Sequence, residues 1–405
     1  MSPGPVCPKA PSFATRRHLA AGLVVALGAC ALSGCGTAHS NGPGAKPGAP
    51  EVRASLATSL ETSSGSWATV AMGHLDQPLN TFWQLFFRPT GAVSWSDQAS
   101  ALAVATNGGL VVASRARGSL LVGVRPANLL DYSPLIVTSN ASSWTPTSPV
   151  GPLAAEPDAL AIGTGDQAMA LVREGGTERV LASPRGLVHW RQMTTQDELA
   201  TSQAGRACGV GELTAVGYLA GNALIGASCR RDGVVGVFLA HGGTWRLVGP
   251  RLPPALSTYG TEVLGLETTN SDLCVLVVAG VRDSTGVVAA CTSVHALKWQ
   301  VSPALPMAGQ KGTVSFGPAG QFGLYALTPG TAHHLILAVM SEPTMTWRRL
   351  PAPPSGTATV VFGPAGRLDA LSVGDTAFTD WVLAGGATWR KVQVLHVAIQ
   401  FGSSS

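Results

Sequence analysis

The sequence predicts a β-propeller, an all-β fold of four-stranded sheets set around an axis. Three observations carry this: seven tryptophans at near-even spacing, repeated text around them, and a composition that excludes other classes. Trp95, Trp144, Trp190, Trp245, Trp299, Trp347 and Trp389 stand 42 to 55 residues apart, at a mean interval of 49. Four strands of five or six residues with four connections of similar length use roughly 44 to 50 residues. Repeats of that length built from several short strands indicate a propeller.

Each element in the repeat has a local reason. An apolar run such as Val234-Val235-Gly236-Val237-Phe238-Leu239 or Leu335-Ile336-Leu337-Ala338-Val339 comes first, then a small-residue turn, then Trp. Gly242-Gly243-Thr244-Trp245 and Gly385-Gly386-Ala387-Thr388-Trp389 are examples. The glycines allow a tight hairpin, and the indole opens the outer strand where its ring covers the sheet packing. Phe316-Gly317-Pro318-Ala319-Gly320 recurs as Phe362-Gly363-Pro364-Ala365-Gly366, 46 residues later. Asn107-Gly108-Gly109, between Val104-Ala105-Thr106 and Leu110-Val111-Val112, reads as a further hairpin turn.

Six intervals fill residues 95 to 389. Trp67 to Met72 and Phe82 to Phe87 precede them, and Val392 to Phe401 follows. Joining both ends in one blade removes two open sheet edges. The expectation is therefore seven four-stranded blades, closed by pairing of the N- and C-terminal strands, with six or eight blades as alternatives. A pair of β-sandwiches is the other architecture; it does not require even tryptophan spacing.

The N-terminus has its own logic. Arg16-Arg17 precede the 14-residue apolar run Leu19 to Leu32, followed by Ser33-Gly34-Cys35. Fourteen helical residues reach about 21 Å, short of the roughly 30 Å hydrocarbon core. The segment resembles the signal peptide and lipobox of bacterial lipoproteins. The resemblance implies a diacylglyceryl thioether on Cys35, which becomes the first mature residue and anchors the chain in a membrane. Cleavage near Ala38 to give a soluble secreted protein is the alternative. Thr15-Arg16-Arg17-His18-Leu19 is similar to a twin-arginine export signal but lacks its Phe-Leu-Lys ending, so both export routes stay open. Gly36 to Ser66 is rich in Gly, Pro, Ala, Ser and Thr, and reads as a flexible tether reaching about 30 Å. The expected organisation is a signal peptide over 1–34, a lipid-anchored linker over 35–66, a propeller over 67–402 and a disordered tail over 403–405.

Charged residues are 12% of the chain and hydrophobic ones 45%, with 49 Gly and 28 Pro, which excludes a coiled coil and a polar disordered chain. The net charge of +4 includes Lys9, Arg16 and Arg17 of the signal segment, so the exported part is nearly neutral and no nucleic-acid partner is expected. Cys7 and Cys30 leave with the signal; Cys208, Cys229, Cys274 and Cys291 remain in an oxidising compartment. Three pairings are possible. Cys208 and Cys229 flank the turn Leu219-Ala220-Gly221-Asn222, and Cys274 and Cys291 flank Arg282-Asp283-Ser284-Thr285-Gly286. Bridges Cys208–Cys229 and Cys274–Cys291 are therefore expected.

Gly242, Thr244 and Trp245, and again Gly386, Thr388 and Trp389, match the Gly-x-Thr-Trp half of the Asp-box Ser-x-Asp-x-Gly-x-Thr-Trp. Over residues 67–402 the architecture resembles the sialidase-like propellers that carry this repeat. Phe238 and Ala240, and Val382 and Ala384, stand where the Ser and Asp belong. A sialidase-like enzyme would imply three arginines on a substrate carboxylate, a Tyr nucleophile assisted by Glu, and an Asp acid. Phe87-Arg88-Pro89 is similar to that family's Phe-Arg-Ile-Pro without the residue between Arg and Pro. Arg88, Asp97 and Tyr325 are the catalytic candidates on this alternative; a structural role is the first expectation for Arg88.

Other signatures are absent. The sequence holds no Gly-x-Ser-x-Gly elbow, phosphate-binding Gly-x4-Gly-Lys-Ser/Thr loop or His-Glu-x-x-His pair. His333-His334 on a strand would point to opposite faces, His74 and Asp76 fit a turn, and Asp197-Glu198 reads as a solvated loop. No cofactor or metal is expected. The functional expectation is a lipid-anchored, noncatalytic ligand-binding or scaffold module of the cell envelope, its partner an envelope protein or glycan; a glycoside hydrolase acting on extracellular glycans is the alternative.

Overall fold

The computed structural model describes residues 59–398 except 63, 74–80, 99–109, 115–119, 125–134, 139–142, 147–156, 164–166, 175, 269–271, 282–283, 294–297, 307–310, 317–321, 328–334, 342–343 and 364–366. The expected signal peptide, Cys35, the tail over 403–405, and the motifs at His74, Asp76, Asn107-Gly108-Gly109 and His333-His334 lie outside the described residues.

The described chain is almost wholly β. Strands β1 (Ser59–Thr62), β2 (Gly65–Gly73), β3 (Thr81–Pro89) and β4 (Ser96–Asp97) form an antiparallel meander in sequence order. A second meander follows: β5 (Leu110–Ser114), β6 (Leu120–Val124), β7 (Leu135–Thr138) and β8 (Thr145–Pro146). The third is β9 (Pro157–Ile162), β10 (Ala168–Glu174), β11 (Thr177–Ser183) and β12 (Arg191–Thr195). Helices α1 (Gln196–Thr201) and α2 (Gln203–Cys208) lead into the fourth: β13 (Val210–Leu219), β14 (Asn222–Cys229), β15 (Gly236–His241) and β16 (Thr244–Leu247). The fifth is β17 (Thr261–Thr268), β18 (Asp272–Val281), β19 (Ser284–Ser293) and β20 (Gln300–Val301), with β21 (Leu305–Pro306) also on β19. The sixth is β22 (Lys311–Phe316), β23 (Phe322–Leu327), β24 (Leu335–Ser341) and β25 (Thr346–Leu350), and the seventh β26 (Thr357–Phe362), β27 (Leu368–Val373), β28 (Ala377–Ala384) and β29 (Thr388–His396). Ser228 and Cys229 of β14 pair with Glu262 and Thr261 of β17, which fuses the fourth and fifth meanders into one nine-stranded sheet.

The first strands of consecutive meanders pack on one another: β1 on β5, β5 on β9, β9 on β13, β13 on β17, β17 on β22, β22 on β26, and β26 back on β1. The arrangement fits a β-propeller. Apolar cores lie between facing meanders, and the period-2 alternation of each strand sorts its side chains to one neighbour or the other. In β3, Leu85 and Phe87 join Leu110, Leu120 and Val122 of the second meander. Phe86 turns the other way, into the cluster of Val361, Leu371 and Phe378 of the seventh. In β18, Val275 and Val277 pack toward the fourth meander, while Leu276 and Val278 share a core with Met345 near the sixth. Burial on both faces explains the uninterrupted apolar run Leu273 to Ala279.

The seven tryptophans mark one position. Trp95, Trp144, Trp190 and Trp299 immediately precede β4, β8, β12 and β20; Trp245, Trp347 and Trp389 are the second residues of β16, β25 and β29. Each opens the fourth strand of its meander, as the repeat predicts. Three indoles also bridge backward. Trp299 Nε1 donates to Val248 O at 3.0 Å, Trp347 Nε1 to Pro303 O at 3.0 Å, and Trp389 Nε1 to Pro351 O at 3.2 Å. Each acceptor lies one or two residues beyond the fourth strand of the preceding meander. The turns before Trp245 and Trp389 need glycine: φ is +56° and +79° at Gly242 and Gly243, and +58° and +72° at Gly385 and Gly386. Phe316 and Phe362, which open the repeated Phe-Gly-Pro-Ala-Gly turns, end the first strands β22 and β26.

Both expected disulfides form. Cys274 and Cys291 are directly opposed on β18 and β19 with Cα atoms 4.1 Å apart, and Cys208 at the end of α2 meets Cys229 at the end of β14 at 5.0 Å. Disulfides of this kind belong to an oxidising, extracytoplasmic environment. No helix among the described residues is long and apolar enough to cross a membrane.

Three expectations are corrected. The tether expected over 35–66 gives way to structure earlier: Ser59 to Thr62 form β1 against Gly65 to Ala68. Only Leu60 supplies an apolar signal in that four-residue strand, so composition hid it. Among the described residues the N- and C-terminal strands do not pair into a shared blade. Residues 59–97 complete one meander and 357–396 another, and the two meet through side chains. Asp197-Glu198 is no loop but the first turn of α1, where Thr195 and Glu198 form a reciprocal capping box.

Candidate functional site

The three catalytic candidates do not converge. Asp97 sits on the short strand β4 opposite Phe86, and Tyr325 falls on β23 opposite Thr313 and Leu337, its side chain outside the described residues. Arg88, near the end of β3 and 2% exposed, points into the seam between the first and seventh meanders. Its Nη2 lies 2.6 Å from Asp369 Oδ2 and its Nη1 3.9 Å from Asp380 Oδ2; both aspartates are fully buried. Asp380 on β28 stands opposite Leu371, two residues along β27 from Asp369, which puts the two carboxyls on one face of the sheet. Arg367, 25% exposed, closes the group with Nε 2.7 Å from Asp369 Oδ1 and Nη2 3.4 Å from Asp380 Oδ2. Trp95 covers it: the Arg88 guanidinium carbon is 4.6 Å from the ring centroid, and the indole N–H donates to Asp380.

This environment sets the chemistry. Burial, then repulsion from Asp369, pushes the Asp380 carboxyl up to about 7 against the opposing pull of Arg88, Arg367 and Trp95. Gly363 makes room for the arginine, since a Cβ there would stand 2.9 Å from Arg88 Nη2. The guanidinium is held by protein carboxylates and has no access to a substrate carboxylate. These contacts give Arg88 a structural part in the seam between the first and seventh meanders.

A second polar group gathers at the starts of β11, β13 and β17. Glu178, 4% exposed, accepts from Leu213 N–H and from Arg173, and burial still pushes its carboxyl above the ordinary range. Arg173 also reaches to 3.6 Å from Glu212. Burial, with Glu212 nearby, pushes Glu262 up to about 7. Among the described residues no three His, Cys, Asp or Glu side chains converge as a metal site.

A groove lies elsewhere, between the third and fourth meanders. Here Gln167, just before β10, the β13–β14 connection and the β11–β12 and β15–β16 turns come together. They enclose a groove of about 270 Å³ whose polar lining is Gln167, Ser183, Arg191, Tyr218, Asn222 and His241. Ala182, Pro184, Met193, Ala223 and Ala240 supply the apolar part, and no carboxylate lines it among the described residues. Tyr218 packs its ring over Gly163, where a Cβ would stand 2.9 Å from the ring. Burial raises the phenol well above its ordinary range, so it stays neutral and can donate or accept. Gln167 Oε1 is a buried acceptor without a donor among the described residues. The hairpin turns at Gly221-Asn222 and Gly242-Gly243 were legible in the sequence. That they face each other across a groove was not, because the pairing of neighbouring meanders has no local signal.

No family model matches the sequence, and no curated protein matches it. Among solved structures, YCF48 bound to D1 peptide is similar over 69% of this chain and 80% of its own, at 13% identity and a TM-score of 0.42. A protein of Bacteroides fragilis described as a candidate 6-phosphogluconolactonase is similar over 83% of this chain and 96% of its own, at 10% identity and a TM-score of 0.44. At these values neither similarity transfers an activity, a ligand or a partner.

Proposed function

We propose that this chain is a lipid-anchored, extracytoplasmic β-propeller of seven blades that holds a partner at the envelope surface without turning it over. The observation that supports it best is the circuit of first strands, in which β26 returns to β1 and seven tryptophans open seven fourth strands. Blades arranged this way leave loops at both rims for contact, and a fold of this kind carries function in those loops. The anchor rests on the apolar run before Cys35, and the outward location agrees with the two disulfides. The glycosidase alternative loses its arginine, because Arg88 is occupied by Asp369 and Asp380.

Membrane fractionation and turnover assays of the full chain test the two halves of this reading. Wild type is expected in the detergent phase and Cys35→Ala in the aqueous phase. Retention of Cys35→Ala in membranes would sink the lipid anchor. Sialosides and uncharged glycosides are expected to remain intact; hydrolysis of any of them by the wild-type chain would sink the noncatalytic assignment.

A further inference from the structure

The groove between the third and fourth meanders has the chemistry of a receptor for one end of a peptide. Its strongest cation is Arg191, exposed on β12 and without an ion pair among the described residues. Among the described residues the lining has no carboxylate to neutralise it. An anion is therefore the complementary charge, and a planar carboxylate is the group that a guanidinium fork matches best. Gln167 Oε1 lacks a donor among the described residues, so the ligand should present an N–H or O–H near that anion. Tyr218 offers a neutral hydroxyl, with no hydrogen bond among the described residues, beside the same wall. Met193, Pro184 and the three alanines give an apolar surface next to these polar groups.

We infer that the groove captures the C-terminal residue of a peptide or protein. The terminal carboxylate pairs with Arg191, the last amide N–H reaches Gln167 or Tyr218, and an aliphatic side chain rests on Met193 and Pro184. Capture of a terminal carboxylate is a recurrent mode of peptide recognition. A cavity of about 270 Å³ is below the usual size for a drug-like ligand and suits one or two residues. A sugar acid would satisfy the charge, but it offers hydroxyls in place of the apolar side chain that the five apolar lining residues favour. This inference deepens the binding reading of the fold and rests on it, while standing apart from the lipid anchor.

The test is titration of the full chain in detergent with N-acetyl-alanyl-valine, its C-terminal amide, and D-glucuronate, followed by ligand-observed NMR. Binding of the acid in the millimolar range is expected, with the amide weaker by roughly tenfold or more, as loss of a charge-assisted contact predicts. Arg191→Gln should abolish the preference for the acid while leaving the weak binding of the amide; Tyr218→Phe should weaken both. Both side chains line the rim, and unchanged melting temperatures would establish that the variants are folded. No binding of the acid at about 20 mM, well above a millimolar Kd, would overturn the inference. So would equal affinity for acid and amide, an Arg191→Gln variant that still discriminates, or glucuronate binding as tightly as the peptide. None of these outcomes touches the fractionation of Cys35→Ala or the absence of turnover, so failure here and failure of the broader reading are separable.

Discussion

The indole N–H of Trp95 donates to the Asp380 carboxylate at 3.2 Å across 285 residues of chain. This contact joins the fourth strand of the first meander to the third strand of the last. Gln393 reinforces it by accepting from Trp95 N–H at 2.7 Å and donating to Trp95 O at 2.9 Å. Trp299, Trp347 and Trp389 instead reach a main-chain carbonyl of the preceding meander. Here the acceptor is a charged group that also faces Arg88, so the seam is held by electrostatics where a shared blade was expected.

Arg88→Ala should therefore be among the most damaging single substitutions in the chain. It leaves Asp369 and Asp380 buried with only Arg367 to compensate, and removal of one partner from a buried pair costs about 3–5 kcal/mol. Arg367→Ala, at a partly exposed position, should cost less. Chemical denaturation of both variants checks the order; equal losses would show that burial does not set the hierarchy.

Gly363→Ala should act through the same group, because the added methyl crowds the Arg88 guanidinium. A double-mutant cycle with Arg88→Ala tests this. The double variant should lose clearly less than the sum of the two single losses, as expected for side chains in contact. Additive losses would place the effect of Gly363 elsewhere, in its turn.

Acidification should stabilise the fold between pH 8 and about 5. Asp380 and Glu262 have folded pKa values raised from 3.8 and 4.5 to about 7, so the native state holds protons that the unfolded chain has released. Stability then falls as pH rises through this window and levels off above about 7. Glu262→Gln should raise the melting temperature at pH 8, change it little at pH 5, and flatten the profile. Melting curves across the range decide it, and a wild-type profile that climbs toward pH 8 would contradict the assignment.

Among the marker tryptophans the cost of Trp→Phe should divide by hydrogen bonding. Trp299→Phe and Trp389→Phe strip a donor from Val248 O and Pro351 O and should cost about 1 kcal/mol more than Trp245→Phe beyond the lost ring area. Equal losses at all three would mean that ring packing alone carries the repeat.

Cys274→Ser with Cys291→Ser should lower stability by about 3 kcal/mol, the chain-entropy value for closing a loop of this length. The strands β18 and β19 remain paired on either side of the bridge, so the fold should persist. Urea unfolding of the double variant measures the loss.

The tryptophan period was readable because each indole recurs at one topological position, just behind a glycine-bearing turn or a short connection. The cysteine pairing was readable for a related reason: each bridge spans a single hairpin. The first meander was harder, since Trp67 and Trp83 lie within β2 and β3 and fall outside the period, so the N-terminal segment resembled half a blade. The Arg88 group was invisible. Its members come from strands nearly 300 residues apart, and neither Phe87-Arg88-Pro89 nor Leu368-Asp369-Ala370 signals locally that its charge will be buried. The groove shares that difficulty, as its walls come from four connections in two meanders.

Because no hydrogen-bonded ladder among the described residues joins the first meander to the last, no early strand has to wait unpaired for a late one. Each sheet can be finished in the order of synthesis and docked on its predecessor. Only the final event differs: the last sheet must bring two acids onto a waiting arginine, so an unfinished or truncated molecule would expose a lone buried-type cation at its open end.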